Sequence, residues 1–323
     1  MMPSPRTIAL IVVLLLLAAV PPLAAAFNQP FYLDLFRRIM IFAIAAASLN
    51  LILGYGGMVS FGHAAYLGIG AYAVGVLAHH GIHSGWLQWA VAIGASALVA
   101  LVIGAVSIRT SGIYFIMITL AFTQMLYYLG ISIEEYGGDD GMRVAKLSQF
   151  EGLVDLSSPA AFYYLVLALL ALVLLLVHRL VNSRFGMLIR AAKSNEARTR
   201  AIGFSPYPYR LAAFVIAGAI CGLAGALLVN QTAYLTPEFM NWTRSGELMF
   251  MVILGGMGTT AGPLFGAAAL LLLEDLLQGW SLLPRLVHEY WQFYLGIVLV
   301  LVVLFAKRGL AGLLRGSGDG ADG

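Results

Sequence analysis

Charge is scarce in this chain: Asp, Glu, Lys and Arg make up 10% of its 323 residues, against about a quarter of an ordinary soluble domain. So few ionised groups cannot hold a protein of this size in water, which excludes a soluble globular fold. The 18 bases over 15 acids leave a net charge of only +3, too small to support a nucleic-acid partner. Cysteine is scarcer still. The single Cys221, in "AGAICGLAGALL", cannot form an intrachain disulfide and has no metal-ligand spacing around it, so it reads as a small packing residue. The sequence has no HExxH, nucleophile elbow or paired carboxylates, and no metal or cofactor is expected. Three strings imitate nucleotide-binding loops and fail on inspection. "GMLIRAAKS" has Met187 and Ala192 where a phosphate loop needs glycine. "GIGAYA" from Gly68 and "GMGTTA" from Gly256 lack the strand, turn and downstream acid of a dinucleotide site, and close helix packing explains them better.

What is present is apolar. Hydrophobic residues make up 61% of the chain and mean hydropathy is +0.91, which predicts an all-α polytopic membrane protein. At about 20 residues per crossing, about ten transmembrane helices would use most of the chain. Apolar runs are expected at 7–26, 39–53, 86–106, 113–131, 160–177, 211–229, 248–254, 264–277 and 292–305. The second breaks into the glycine-rich "GYGGMVSFGHAAYLGIGAYAVGVL" (54–77), where one helix pauses and another begins. Short or interrupted spans suit a backbone that bends where protein shields it or where it lines a cavity. Small residues four apart, Gly218/Gly222 and Gly258/Gly262/Gly266, predict close helix contacts. Residues 1–27 form an N-terminal transmembrane helix, with a cleaved secretory signal as the alternative because "PPLAAAF" follows the apolar run.

Orientation follows Lys and Arg. With both termini and the loop 179–210 on the cytoplasmic side, Arg6, Arg109, seven bases of that loop and Lys307, Arg308 and Arg315 of the tail 307–323 lie inside, twelve of 18. Arg37, Arg38, Arg143, Lys146, Arg244 and Arg285 fall outside; the Arg37–Arg38 pair is expected to snorkel to headgroups. The outer interval from Ser132 to Pro159 holds six acids, Glu134, Glu135, Asp139, Asp140, Glu151 and Asp155, and two bases. It reads either as a docking or entrance-lining loop or as a solvated one.

The stretch "SRFGMLIRAAKSNEARTRAIGF" (183–204) concentrates six charges between two apolar spans. Asn195 is a plausible N-cap, Glu196 suits the positive first turn, Arg198 and Arg200 suit the negative end, and Gly203 suits a left-handed C′ position. A helix of about two turns is expected there, dependent on outside contacts. Pro206 and Pro208 are expected to block helix until the next span begins near Leu211. A rigid lever and a loop that merely fixes orientation are both compatible with this.

Several blocks together are similar to a known family. "SLNLILGYGGMVSFGHAAYLGIGAYAVGVL" (48–77), "SGIYFIMITLAF" (111–122), "YGGDDGM" (136–142), "RFGMLIRAAKSNEARTRAIG" (184–203), "MVILGGMGTTAGPLFGAA" (251–268) and "LFAKRGLAGL" (304–313) resemble, in order, the LivM-type permease of branched-chain amino-acid ABC importers. The resemblance implies a transport subunit and not an enzyme, in the inner membrane of a prokaryote. It implies a second, LivH-type permease, two cytoplasmic ATPase subunits, an extracytoplasmic substrate-binding protein and a neutral amino acid as solute. It also places Arg184, Gly186, Arg190, Asn195, Glu196 and Gly203 in the element that couples to the ATPase. The sequence departs from the usual Glu-Ala-Ala pattern at Arg198, Thr199 and Arg200. A zwitterion needs a few polar partners at membrane depth, which interrupted helices provide. The candidate pathway residues are Asn50, Ser60, His63, Tyr66 and Gln124; for His63 a plain hydrogen bond at a helix start is the competing reading. A urea or short-amide permease and a self-sufficient carrier or channel are the alternative functions, with an intramembrane enzyme behind them.

Overall fold

The computed structural model describes residues 5–150, 156, 158–279, 289–305 and 309–310. Glu151, Asp155 and Arg285 lie outside the described residues, as do Lys307, Arg308 and Arg315 of the tail. Twelve α-helices are described: α1 (Pro5–Ala26), α2 (Pro30–Asn50), α3 (His63–His79), α4 (Gly85–Ser107), α5 (Ile113–Ser132), α6 (Pro159–Val181), α7 (Arg184–Ser194), α8 (Glu196–Ala201), α9 (Pro206–Thr232), α10 (Trp242–Gly255), α11 (Gly262–Gly279) and α12 (Trp291–Phe305). All but α7 and α8 belong to the bundle, which fits about ten spans. Five are long and apolar enough to cross a bilayer alone: α2 with its extension to Tyr55, α4, α5, α6 and α9.

Helix starts follow the proline rule. Pro30, Pro159 and Pro206 each occupy the first turn of their helices, where a missing N–H removes no intrahelical bond. Pro206 and Pro208 therefore open α9 instead of blocking it, and the span begins five residues before Leu211. The second span likewise extends back to Pro30. Arg37 inside it is buried, paired with Asp34, and lies over the Phe162 ring at 4.9 Å. Neutralised and packed, it does not snorkel; Arg38 alone is half-exposed, 4.0 Å from Glu274.

Pro21 and Pro22 sit inside α1 and leave the carbonyls four residues earlier, those of Leu17 and Ala18, without their helical donors. Two adjacent tyrosines of α6 supply replacements. Tyr163 Oη donates to Leu17 O at 2.8 Å and Tyr164 Oη to Ala18 O at 3.2 Å. In hydrocarbon, where water cannot satisfy a carbonyl, this pins α1 to the bundle.

The core is built on α2, α3, α4 and α9. Gly218 lies against Ala100 and Gly222 against Ser96, so α9 and α4 meet at close range. A Cβ on Gly225 would stand 1.9 Å from Leu67 O, so α9 and α3 touch backbone to backbone. Gly262 and Gly266 press on Gly255 and Met251 in the same way. Gly258 does not share their helix. It lies in the turn before α11 with φ +72 and faces Gly54.

Two ends of the bundle differ in charge. At the acidic end, β1 (Met142–Arg143) pairs antiparallel with β2 (Tyr234–Leu235), Met142 opposite Leu235. Asn230 accepts from Ser148 N at 2.8 Å, and Ser148 Oγ donates to Gln88. The interval after α5 is thereby tied to α4 and α9, with Glu134, Glu135, Asp139 and Asp140 exposed. At the basic end lie the α4–α5 turn, α7 and α8.

Candidate functional site

At the basic end, Ser183 caps α7 by accepting from Gly186 N at 3.4 Å. Gly186 is tight, since a Cβ there would stand 2.2 Å from Val181 O, and Arg190 donates to the same carbonyl at 3.3 Å. Asn195 ends α7 in an extended conformation and caps α8, its Oδ1 accepting from Arg198 N at 2.9 Å. Gly203 closes α8 at φ +91. Glu196 accepts from Arg200 at 2.5 Å and from Arg210 at 2.6 Å. Burial works to raise the Glu196 carboxyl, but Arg210 and Arg200 outweigh it and hold it below the usual carboxylate value. Arg210 also donates to Ala192 O at 3.1 Å, so one guanidinium joins the end of α7 to the start of α8. Lys193 Nζ reaches the bundle itself and donates to Gly54 O at 2.6 Å.

This helix pair is held from beneath and bare on top. Arg184, Arg190 and Arg198 are exposed, and with them Met187 at 53%, Ile202 at 66% and Phe204 at 44%. Large apolar side chains flanked by cations make a surface suited to docking.

Deeper in, α2 passes through a π turn (Leu51–Tyr55), and residues 56–62 run without helix before α3 starts at His63. The structure gathers four of the five candidate pathway residues here and leaves the fifth on α5. Asn50, 1% exposed, donates to Thr259 O at 2.8 Å and accepts from Gly258 N at 2.9 Å. Ser60 is fully buried and accepts from Gly62 N at 3.1 Å. His63 is at the first position of α3, fully buried, with Nε2 3.0 Å from Ser48 Oγ. Ser48 Oγ also reaches Ala45 O at 2.7 Å, and His63 Nδ1 is buried with no partner among the described residues. Tyr66 packs edge-on to His63 and Phe214, its hydroxyl without a partner among the described residues. Gln124 is half-buried and its Oε1 has no partner among the described residues.

The unwound segment has other anchors, residues that sequence reasoning did not single out. Thr119 Oγ1 accepts from Phe61 N, Thr123 Oγ1 donates to Phe61 O, and Ser245 Oγ donates to Phe61 O at 2.7 Å while accepting from Ala64 N. Thr119 and Thr123, four apart on one helix, were the available signal. Between this segment, the α4–α5 turn and the Glu196–Arg210 pair lies an open cavity of about 160 Å³, lined by Gly57, Val59, Thr110, Ser111 and Phe115. Among the described residues no group of three His, Cys, Asp or Glu could hold a metal.

A helical bundle with a backbone break at depth and an externally docked helix pair defines a multi-pass membrane permease. The profile described as "Branched-chain amino acid transport system / permease component" matches residues 31–303, and the chain belongs to that family, a family of transport subunits and not of enzymes. It is 28% identical over 305 residues to the high-affinity branched-chain amino acid transport system permease protein LivM of Escherichia coli (strain K12), covering 87% of this chain and 70% of that one. It is 25% identical over 331 residues to a probable LivM of Methanocaldococcus jannaschii, covering 86% and 93%. To the E. coli LivH permease it is 25% identical over 291 residues, covering 84% and 91%. Similarity to both permease types points to a paired permease in the inner membrane. No solved structure gives a significant match.

Proposed function

We propose that this chain is one half of a transmembrane pair that imports a branched-chain or other neutral amino acid, driven by two cytoplasmic ATPases and fed by an extracytoplasmic binding protein. Residues 28–306 form the permease domain with its cytoplasmic coupling loop at 179–210; 1–27 is a transmembrane helix and 307–323 a cytoplasmic tail. The observation that carries this reading is the helix pair 184–203, anchored to the bundle while turning Met187, Ile202, Phe204 and three arginines outward. Arg184, Gly186, Arg190, Asn195, Glu196 and Gly203 shape or flank that surface, and the ATPase seats on it. Asn50, Ser60, His63 and Tyr66 at the backbone break, with Gln124 on α5, line the route that solute takes when the bundle opens. The exposed acids after α5 face the binding protein. ATP drives such a cycle only by binding the two states of the assembly unequally, which demands a contact of this kind.

The test is reconstitution in liposomes with a LivH-type permease, two ATPases and the binding protein. ATP-dependent uptake of leucine, absent with the purified chain alone, is expected. Flux through the chain by itself would sink the reading, and uptake of urea in place of leucine would reassign the solute.

A further inference from the structure

Gly54 has a contact on each side that joins two distant parts of the chain. Its carbonyl lies at the C-terminal end of α2, where helix carbonyls lack intrahelical donors and the dipole is negative. Lys193 Nζ of α7 fills that place at 2.6 Å, and its methylenes cover Gly57. On the other side, a Cβ on Gly54 would stand 2.0 Å from Asn50 Oδ1 and 2.5 Å from Gly258 N. Asn50 holds the turn 256–261 by both its donor and its acceptor. From that turn α10 runs to Ser245, which grips Phe61 and Ala64 on the far side of the break.

We infer that Lys193 and Asn50 are positioning residues that transmit movement of the helix pair to the α10–α11 turn through the π-helical end of α2. Gly54 has no room to move toward Asn50 or Gly258, so a displacement of α7 passed through Lys193 must shift the turn as well. A π turn is the part of α2 best able to take this up, because its wider hydrogen-bond register is rarer and less stable than that of the α-helix and recurs at functional sites. Packed interfaces of this kind switch between discrete arrangements and do not deform smoothly. The Lys193 side chain as a whole is exposed, so its loss leaves the bundle core intact. This inference rests on the coupling role proposed above for residues 184–203.

The experiment uses the full complex in liposomes with leucine as the probe. Lys193→Met is expected to lower leucine imported per ATP hydrolysed about tenfold, within the range of ordinary coupling factors, while ATPase activity persists. Lys193→Arg, which keeps a donor in reach of Gly54 O, is expected to restore the ratio. Asn50→Ser, too short to reach either partner, should abolish the ATP-driven shift of the turn in the distance measurement that follows, a readout that loss of solute contact alone would not move. A second measurement uses a Cys221→Ser background, free of cysteine, with spin labels at Met257 in the turn and at exposed Leu98 on α4, which reads movement of the turn against the bundle. ATP is expected to change their separation in the otherwise unsubstituted complex and not in Lys193→Met. An unaltered import ratio in Lys193→Met, or parallel loss of ATPase and uptake, would overturn the inference and leave the parent reading standing. Absence of ATP-driven uptake in the unsubstituted complex would overturn both.

Discussion

Replacing Tyr163 by phenylalanine should destabilise the bundle, and the cost should depend on Pro21. The Tyr163 hydroxyl donates to Leu17 O at 2.8 Å, and the ring is fully buried. Pro21 is the reason that carbonyl is free, because a residue with an N–H at position 21 would bond to it. Removing the hydroxyl leaves a buried acceptor with no water in reach, at about 1–3 kcal/mol by the general scale for such groups. Membrane double-mutant cycles give smaller values, about 0.6 on average and about 1.7 at most. A loss of about 1–2 kcal/mol is therefore expected for Tyr163→Phe. In a Pro21→Ala background the alanine N–H satisfies Leu17 O, and the same substitution should cost under about 0.5 kcal/mol, the remainder being packing. The assay is reversible unfolding in mixed micelles of the four proteins in this cycle, followed by tryptophan fluorescence. Equal losses in both backgrounds would refute the reasoning, because the hydroxyl would then owe nothing to the proline.

Glu196→Lys faces Arg200 and Arg210 with a like charge and should lower ATP-driven uptake by about one to two orders of magnitude, with insertion unchanged on membrane fractionation; normal uptake would count against the coupling assignment. The Glu196 carboxyl sits below its unfolded value of about 4.3, so its ion pairs contribute fully at neutral pH and are lost only as pH falls through the folded value. Hydrogen exchange at Ala197–Ile202 should accordingly stay flat from neutral pH down to about pH 5 and, corrected for intrinsic rate, rise below about pH 4, whereas Glu196→Gln should show the faster exchange throughout. Gly225→Leu would drive a side chain into Leu67 O, 1.9 Å from its Cβ, and should cost upward of about 3 kcal/mol, read as loss of the monodisperse peak in detergent chromatography.

The spans, the break after Gly54 and the caps at Asn195 and Gly203 were legible because each is written in local chemistry. Hydrophobic runs, a glycine cluster, and an Asn-Glu pair followed by Gly need no knowledge of what lies across the bundle. Pro206 and Pro208 misled for the opposite reason: the same residue that ends a helix interior begins a first turn, and only the position of the cap decides. Arg37 was misplaced because its partner ring, Phe162, comes 125 residues later. Asn50 could be marked as a buried polar group, but its partners lie 208 and 209 residues away, and Lys193 meets Gly54 across 139. Helical periodicity tells which residues share a face, not which face meets which.

The prolines of α1 bear on how the molecule is made. Synthesis delivers Leu17 and Ala18 to the bilayer 146 residues before the tyrosines that complete them. Until α6 is present, those two carbonyls lack the donors that the folded bundle gives them. The first helix can take its final hydrogen-bonded place only once α6 is present.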